Sequence, residues 1–549
     1  MMEGERHENI VETYTLDDAI NKFGIGRFQY FVIFIGGLTY LADSMEIMVL
    51  SFLGPIMKCR FDITPEEQST MATSVFIGMG IGAFLCGILA DKFGRKTGAI
   101  TTAIFCSFGG VFSALVNTYG MLIFARFIVG LGMGGVPVAY SWVMEFVPAS
   151  SRGRVGVIVQ SFWTAGTLFQ VTVSWITLPT TGFRWMLIIT AVPLFILLGM
   201  FFCVPESIRF LLSTGQNDRA KNMLIYISKM NKTPLPKGEL KLTHGTHNER
   251  NIMTANNNGD INNGDNNSNN NTFDKIKSIC APAYRHDTIM LFIMWVANAA
   301  IYYGVVLLTT ELIQINKANE PTQYNFNNNT RRSLLQDNND LTCSRVFHNS
   351  AFVEIFGSAF SETPGMILTF FLVDKIGRKK TQASLFAFVT FVFGILFLID
   401  KRDETLDTVL LAIVRACILG SFTVIYIYTP ERFDTKIRST AMGILVAGSR
   451  LGSMTSPFIS VSLPERGYVK LTFLIYGIIG LVATISSMCL KLETTGISMD
   501  NIENENKKIE MKSRMMRSNN KDNNKASTSI SNVALNFQPL NEVDDGDGM

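Results

Sequence analysis

The feature that most constrains this chain is a series of about twelve apolar segments, each about 20 residues long. A segment of that length spans the hydrocarbon core of a bilayer, where the backbone must satisfy its own hydrogen bonds, and a single segment can do so only as a helix. With 48% hydrophobic and only 17% charged residues, the chain is too apolar for an ordinary soluble protein. The sequence therefore predicts an all-α membrane protein.

The segments fall into two sets of six, separated by a long polar stretch. The predicted membrane helices are 28–53, 70–90, 97–116, 119–144, 155–178 and 185–204 in the first half, and 287–309, 350–373, 381–399, 406–428, 439–461 and 470–490 in the second. The predicted domains are a cytoplasmic tail (1–27), a six-helix bundle (28–204), a cytoplasmic linker (205–286), a second six-helix bundle (287–490) with a long outer loop (311–349), and a cytoplasmic tail (491–549). The linker contains a helical pattern at 218–229 and an asparagine-rich tract at 256–271. That tract and the last tail have too little apolar surface to fold and are predicted to be disordered.

A duplicated motif relates the two halves. GILADKFGRK at Gly87 to Lys96 returns as FFLVDKIGRK at Phe370 to Lys379. Three further landmarks repeat at nearly the same offset: Arg126 with Arg415, Glu145 with Glu431, and Glu206 with Glu493. One spacing for several unrelated motifs indicates a duplicated unit, and each motif adjoins an apolar segment. Two such sets of membrane helices facing each other are typical of transporters.

Basic residues predict the orientation of the helices. Lysine and arginine cluster in the loops at 92–96, 152–154, 375–380 and 436–438, which all fall on one side of the predicted bundle. Short basic loops stay in the cytoplasm, so this side and both termini are predicted to be cytoplasmic. The first 27 residues lack the basic and small-residue pattern of a removable signal, so the first membrane helix is expected to act as its own insertion signal.

The duplicated motif is predicted to act as a conformational latch. Its glycines permit a sharp turn, and its acid can meet the N-terminus of a partner helix, where unpaired N–H groups attract negative charge. The alternative is a basic turn that is exposed to solvent and has no latch function. It would explain one copy of the motif, but it explains two copies at the repeat spacing less well. The predicted latch residues are Gly87, Asp91, Gly94, Arg95 and Lys96 in the first copy, and Asp374, Gly377 and Arg378 in the second.

These motifs resemble those of the major facilitator superfamily. From Thr15 to Gly496 the chain resembles the synaptic vesicle 2-related proteins and their organic-ion transporter relatives. The strings that carry the resemblance are LADSMEIMVLS from Leu41, GLGMGGVPVA from Gly130, PESIRFLL from Pro205, SETPG from Ser361 and YTPERF from Tyr428. The resemblance implies two pseudo-symmetric six-helix bundles that alternate access to a central site. The second latch departs from the pattern, because Phe370 occupies the position of Gly87.

Ionisable side chains inside the predicted spans are the sharpest functional signal, because a charge in hydrocarbon costs several kcal/mol unless it is paired or hydrated. Asp43 on helix 1 and Arg126 on helix 4 lie at depths that allow them to meet. In proton-coupled sugar porters, which this arrangement resembles, such a pair couples protonation to conformation. A static salt bridge, or no mutual contact, would also fit the sequence. Glu46, one turn from Asp43, is a candidate for cation binding or proton relay, or it packs towards a polar interior.

The second half offers polar and aromatic groups instead of an acid on helix 7. We therefore expect proton handling in the first half and substrate contacts mainly in the second. The candidate cavity residues are Trp163, Asn298, Tyr302, Tyr303, Glu362, Arg415, Tyr426 and Arg450, with Tyr428 as a further candidate. Ordinary packing is the alternative for each aromatic residue. Glu362 precedes Pro364 and Gly365, where a distorted helix is expected to expose polar backbone.

Further charges and glycines predict how the helices pack. Glu145 with Arg152, and Glu431 with Arg438, are expected to form networks that close together with the latches, although a surface role is the alternative. Gly130 and Gly134 lie four residues apart and are expected to let a neighbouring helix approach closely.

The outer loops contain a candidate glycosylation site and a pair of cysteines. Asn328 begins an Asn-Asn-Thr glycosylation acceptor on the outer side. Cys59 and Cys343 are the two cysteines in outer loops. A disulfide between them would tie the halves together and oppose a rocking motion, so the expectation is free thiols.

The sequence predicts a secondary active transporter of a small organic solute, driven by a proton gradient. An organic ion, by preference cationic or zwitterionic, is the expected cargo, and sugars and nicotinate-like anions are the alternatives. It contains no phosphate-binding Gly-x-x-x-x-Gly-Lys-Ser/Thr loop, no Cys/His metal cluster and no catalytic constellation, so no enzyme activity, cofactor, metal site or nucleic-acid partner is predicted. The rival prediction is a non-transporting vesicle regulator or receptor built on a transporter body. The expected location is a vesicle or plasma membrane, and the expected functional unit is a monomer.

Overall fold

The computed structural model describes residues 13–148, 151–240, 277–282, 284–318, 343–344, 347–400, 403–433 and 437–494. The asparagine-rich tract, the predicted glycosylation site Asn328 and the predicted C-terminal tail from residue 495 lie outside the described residues, as does the side chain of Asp374.

The first half is a bundle of long helices preceded by one short helix. Its helices are α1 (Leu16–Phe23), α2 (Arg27–Phe61), α3 (Pro65–Phe93), α4 (Arg95–Leu115), α5 (Tyr119–Met133), α6 (Val136–Glu145), α7 (Arg152–Thr180) and α8 (Phe183–Cys203). Two short helices follow, α9 (Ile208–Ser213) and α10 (Asn217–Asn231). The helix predicted in the linker is therefore confirmed as α10.

The second half repeats this arrangement. Its helices are α11 (Arg285–Ala318), α12 (Asn349–Phe360), α13 (Glu362–Ile376), α14 (Arg378–Leu398), α15 (Glu404–Arg432), α16 (Arg438–Pro457), α17 (Leu463–Glu465) and α18 (Val469–Cys489). A π-helical turn, Phe458–Ser462, joins α16 to α17. The described part also contains one two-residue parallel strand pair, β1 (Thr13–Tyr14) with β2 (Glu239–Leu240).

Local sequence explains where the helices begin and break. At the start of α3, the Thr64 hydroxyl accepts a hydrogen bond from the Glu67 backbone N–H, and the Glu67 carboxylate accepts one from the Thr64 backbone N–H. Pro65 occupies the first helical position. The fourth predicted span is interrupted by two glycines between α5 and α6. The eighth is interrupted at Ser361, next to the Pro364 that the sequence marked as a point of distortion.

Ten described helical segments are long and apolar enough to cross a membrane. The two remaining predicted spans correspond to α7 and α16, which are long helices with more polar side chains, such as the buried Gln170 and Ser174 on α7 and Ser453 on α16. The all-α membrane fold is thus confirmed, and twelve membrane spans remain a prediction.

Glycines let α3 and α5 pack at close range. A Cβ atom added to Gly130 would lie 2.2 Å from the Val75 carbonyl oxygen, and one added to Gly134 would lie 2.4 Å from the Met79 carbonyl oxygen. Both distances are too short for any side chain, which confirms the packing role predicted for these glycines. At Gly87, by contrast, an added Cβ would meet nothing within 4 Å, so this glycine makes no close contact.

The two halves meet at the end of the body that carries Cys59 and Cys343, which we call the disulfide side; the opposite end, with Gly94 and Gly377, is the latch side. On the disulfide side, the Ser69 and Ser462 hydroxyls lie 2.8 Å apart, and the Ser69 hydroxyl also donates to the Pro457 carbonyl at 3.1 Å. Deeper in the body, the Thr73 hydroxyl donates to the Met454 carbonyl at 3.2 Å and that of Ser51 to the Val306 carbonyl at 3.3 Å. Hydrogen bonds therefore seal the halves together on the disulfide side.

Cys59 and Cys343 form a disulfide, with Cα atoms 5.6 Å apart, so the expectation of free thiols is wrong. The expectation assumed that the bond would join two rigid bundles. Cys59 lies on α2, but Cys343 lies in the connection between α11 and α12, where 30 residues separate Ala318 from Asn349. Five residues separate Cys343 from Asn349, so the bond links α2 of the first half to the short segment that leads into α12 of the second.

Candidate central transport site

A cavity of about 60 Å³ lies between the two halves. The first half contributes Tyr40, Asp43, Val136, Pro137, Gln160 and Trp163, and the second contributes Tyr302, Tyr303, Leu419, Phe422, Tyr426 and Arg450. Both halves thus line the cavity in nearly equal shares. Six of the residues predicted from sequence are brought together here, namely Asp43, Trp163, Tyr302, Tyr303, Tyr426 and Arg450.

Asp43 and Arg450 face the cavity with polar atoms that the protein leaves unpaired. Oδ1 of Asp43 and Nε of Arg450 are buried and have no hydrogen-bond partner among the described residues. Arg450 is held by a long contact of 3.4 Å from Nη1 to the Tyr303 hydroxyl. Buried polar atoms are nearly always satisfied in proteins, so an acid and a base left open at one cavity indicate a place for a ligand or water.

Arg126 pairs with Glu46 and not with Asp43, which corrects the pairing predicted from sequence. Nη1 of Arg126 lies 2.9 Å from Oε2 of Glu46, and its Nε donates to the Ser113 hydroxyl at 2.9 Å. Arg126 and Glu46 are both buried, and neither lines the cavity. Glu46 is three residues after Asp43, so the same helical face carries both acids, and only the packing of α4 and α5 against α2 decides which one meets the arginine.

A second buried ion pair lies behind the cavity in the second half. Nε of Arg415 is 2.6 Å from Oε1 of Glu362, and the Tyr302 hydroxyl donates to the same oxygen at 3.0 Å. Glu362 and Arg415 therefore do not line the cavity, contrary to the sequence prediction, because Tyr302 stands between them and it. From the first half, the Trp163 indole N–H donates to the Tyr302 hydroxyl and Thr164 donates to Glu362 at 3.1 Å. This chain of hydrogen bonds connects α7 to α11, α13 and α15.

Two other candidates have different surroundings from those predicted. Asn298 on α11 is fully buried, and both its amide atoms lack hydrogen-bond partners within the described part of the chain, but it does not line the cavity. Tyr428 donates its hydroxyl to the Leu492 carbonyl at 2.7 Å, on the latch side.

Sequence analysis missed several residues that the structure brings into play. Tyr40, Gln160 and Phe422 line the cavity, and a helical wheel centred on Asp43 would have placed Tyr40 beside it. Asp287 and Arg432 form a buried ion pair at 2.5 Å. They were overlooked because both lie at predicted span ends, where charges are common.

The first latch is a network in which a different acid caps the helix. Glu206 accepts a hydrogen bond from the Lys96 backbone N–H at 3.1 Å at the start of α4. Asp91, predicted for such a role, is 71% exposed and pairs with Arg95 one turn later at 3.0 Å. The chain turns at Gly94 with φ of +106°, and a Cβ there would lie 2.2 Å from a Glu206 oxygen. Only glycine fits this turn. The absence of a side chain at Gly94 lets the first backbone N–H groups of α4 approach the Glu206 carboxylate.

The second latch repeats the same contacts. Glu493 accepts from the backbone N–H of Lys379 at 3.1 Å, as Glu206 does from that of Lys96, and also from that of Arg378 at 2.9 Å. Gly377 has φ of +97°. Arg378 forms an ion pair with Glu431 at 3.5 Å, as Arg95 does with Glu145 at 3.6 Å. The duplication seen in the sequence thus extends to the hydrogen bonds.

Glu145 makes its direct contacts with Arg95 and the Ser207 hydroxyl, whereas Arg152, its predicted partner, interacts with it only electrostatically. Arg152 instead donates from Nε to the Val147 carbonyl at 3.3 Å, and Arg438 donates to the Phe433 carbonyl at 3.3 Å. Each arginine therefore ties the start of its own helix to a carbonyl five residues earlier in the chain.

A larger cavity of about 690 Å³ lies at the flank of the second half, lined by α12, α13, α14 and α15. Its rim includes Leu368, Phe388 and Val409, which are each about half exposed. This cavity shares no lining residue with the central cavity, so the two are separate.

The duplicated latches, the paired helical halves and the charged central cavity define a membrane transporter body. The chain belongs to the major facilitator superfamily. Residues 30–311 match the family model "Sugar (and other) transporter", and residues 347–523 match that of the Major Facilitator Superfamily. Members of this superfamily are transporters and not enzymes.

Among similar proteins, the organic cation/carnitine transporter 7 of Arabidopsis thaliana is 34% identical over 88% of this chain and 95% of its own length. The synaptic vesicle 2-related protein of Xenopus laevis is 32% identical over 88% of this chain and 82% of its own. The xylose transporter XylE from E. coli, in a partially occluded inward-open conformation, superimposes with a TM-score of 0.62 at 17% identity, covering 86% of this chain and 99% of XylE. At that identity the last similarity shows the fold alone.

Proposed function

We propose that the protein is a secondary active transporter that carries a small organic ion by alternating access, coupled to protons. The observation that carries the proposal is the central cavity between the halves, where Asp43 and Arg450 present unpaired polar atoms. A purely structural core would pair such groups or replace them by apolar ones, because an unsatisfied buried charge is strongly destabilising.

The lining of the cavity favours a cargo that contains an organic ammonium group together with an acidic group. Asp43 can bind the ammonium and Arg450 the acid. The rings of Tyr40, Trp163 and Tyr426 can supply π faces for the cation. The name of the Arabidopsis relative, an organic cation/carnitine transporter, supports this class. At about 60 Å³ the cavity has room for about two water molecules, so the halves must separate before cargo enters.

The seal on the disulfide side and the latches on the other side are the parts that would move. Hydrogen bonds join the halves at the disulfide side, whereas the contacts described for each latch network stay within one half. In the proposed cycle, the halves rock about the central cavity until the seal opens and the latch ends approach each other.

Asp43 is the proposed proton carrier of the central site. Its carboxyl is buried, lacks a partner on one oxygen and lies in the same cavity as Arg450. The balance between its charged and neutral forms depends on how close Arg450 is and on how much water enters, and both change when the halves move. Glu46 is held in a buried ion pair with Arg126, so we propose that it stays paired and does not carry the proton.

The test is uptake into liposomes that contain the purified full-length protein, with organic cations, zwitterions, anions and sugars, with and without a pH gradient. Gradient-driven uptake of an ammonium-containing solute is expected. Asp43→Asn should abolish the response to the gradient. The matched control is Asp400→Asn, an exposed acid paired with Lys470, which should behave as the parent does. Unchanged gradient-driven uptake by Asp43→Asn would refute the coupling role.

The relatives named synaptic vesicle 2-related protein favour a vesicle membrane, and they keep a second function in view, a non-transporting regulator or receptor. Solute binding by thermal shift without uptake of any member of the panel would support that second function. The same liposome experiment therefore separates the two.

A further inference from the structure

Four polar side chains from four elements meet where the halves close on the disulfide side. Lys58 on α2 and Gln68 on α3 come from the first half, and Glu311 on α11 and Glu465 on α17 from the second. The Gln68 amide nitrogen donates to Oε2 of Glu311 at 3.1 Å, and the Lys58 ammonium contacts Oε2 of Glu465. Gln68 and Glu311 are buried, and the Glu465 side chain is only 7% exposed.

The two carboxyl groups also contact each other. The Glu311 side chain lies within hydrogen-bonding reach of Glu465, and the charged groups that act on it are Glu465 and Lys58. Two ionised carboxylates have only acceptor oxygens, so a hydrogen bond between them requires that one of them holds a proton. The neighbouring pair at this end, Arg466 with Glu66 at 2.5 Å, is exposed and balanced in charge.

A charge count agrees with one bound proton. With both carboxyls ionised, Glu311, Glu465 and Lys58 together carry one net negative charge in a largely buried position. One proton makes the cluster neutral, which avoids the large cost of an uncompensated buried charge. Gln68 fixes the orientation by donating to Glu311, so the proton lies on the side towards Glu465.

We propose that Glu311 and Glu465, a carboxyl pair within the second half, form a second proton-binding site that Lys58 and Gln68 of the first half cover only when the halves close on the disulfide side. When this side opens, Lys58 and Gln68 withdraw with the first half, both carboxyls meet water, and hydration of the ionised forms favours release of the shared proton. The closed state therefore binds one more proton than the open state, and closure is favoured as pH falls. For a single linked proton, the ratio of closed to open molecules changes by at most about tenfold per pH unit.

The site is independent of Asp43 and of the cargo. Asp43 lines the central cavity, whereas Glu311 lies near the disulfide-side end of α11, seven residues before its last residue, Ala318. Its predicted span ended at residue 309, so the sequence did not count Glu311 among the buried charges.

The test measures the distance across the closing end in the full-length protein in lipid nanodiscs. Spin labels are introduced through non-natural amino acids at Thr70 and Tyr468, two exposed positions on opposite halves. Between pH 8 and pH 5 the short-distance population of the parent is expected to rise. In Glu311→Gln, whose amide imitates the protonated carboxyl, the population should no longer depend on pH.

Two further variants make the result decisive. Glu465→Gln also leaves one carboxylate opposite Lys58 and should remove the pH dependence as Glu311→Gln does, so a folding defect in one variant does not end the test. Glu66→Gln, which removes an exposed acid at the same end, should keep the dependence. A parent distance that does not change with pH, or an unchanged dependence in folded Glu311→Gln, overturns the proposal. No solute enters this measurement, so its outcome is distinct from a failure of the transport proposal.

Discussion

Replacing Glu46 by Gln and Asp43 by Asn should have opposite consequences for stability. Glu46 is the ion-pair partner of Arg126, which is fully buried, whereas Asp43 forms no ion pair among the described residues. Glu46→Gln is therefore expected to leave a buried guanidinium without a counter-charge. Asp43→Asn removes an unpaired buried acid and is expected to leave stability unchanged or to raise it.

The magnitude follows from the geometry of the pair. With an effective dielectric constant of about 20, unit charges separated by the 2.9 Å between Nη1 and Oε2 attract by ~6 kcal/mol. Desolvation offsets part of this attraction, and removing one partner of a buried pair costs about 3–5 kcal/mol. Glutamine still offers an oxygen to Arg126, so we expect ~3 kcal/mol. For a bundle of this size that corresponds to a fall of roughly 6–12 °C in the unfolding midpoint.

The assay is the apparent thermal midpoint of the detergent-solubilised protein, measured by fluorescence-detected gel filtration after heating. Asp400→Asn serves as the control, because its exposed pair with Lys470 contributes at most about 1 kcal/mol. Replacing Glu46 and Arg126 together by methionine should recover much of the loss, since no buried charge is then left alone. If Asp43→Asn lowers the midpoint more than Glu46→Gln does, the assignment of the pair is refuted.

Two further predictions concern the latch and the disulfide. Gly94→Ala should weaken the first latch by at least about 1–2 kcal/mol, because its φ of +106° disfavours a side chain and the new Cβ would displace Glu206; Gly87→Ala, with open space around it, should not change the thermal midpoint. If a protease site is inserted in the linker at 241–276 and cut, the two halves should run as one band on a denaturing gel without reductant and as two bands with it, because the bond between Cys59 and Cys343 joins them. Equal midpoints for both alanine variants, or two bands without reductant, would contradict these predictions.

The two latches show what a sequence repeat can predict and what it cannot. The repeat of Gly94 and Arg95 as Gly377 and Arg378 predicted two equivalent turns, and the structure shows two with positive φ. It could not predict that Glu206 would cap the first of them, because a cap joins residues that are 110 positions apart in the chain. Such pairings depend on how helices cross, which local propensity does not encode.

The amino-acid sequence by itself determined the membrane fold, the duplication, the approximate helix limits and the charges near the middle of the spans, because apolar length and charge content act locally along the chain. Only the tertiary structure decided that Arg126 meets Glu46, that Tyr302 separates Glu362 from the cavity, and that Cys59 bonds Cys343. Residues one turn apart share a helical face, so the sequence treats them as equivalent partners. The rotation and crossing of the helices bring one of them within 3 Å of the opposite charge and leave the other facing the cavity.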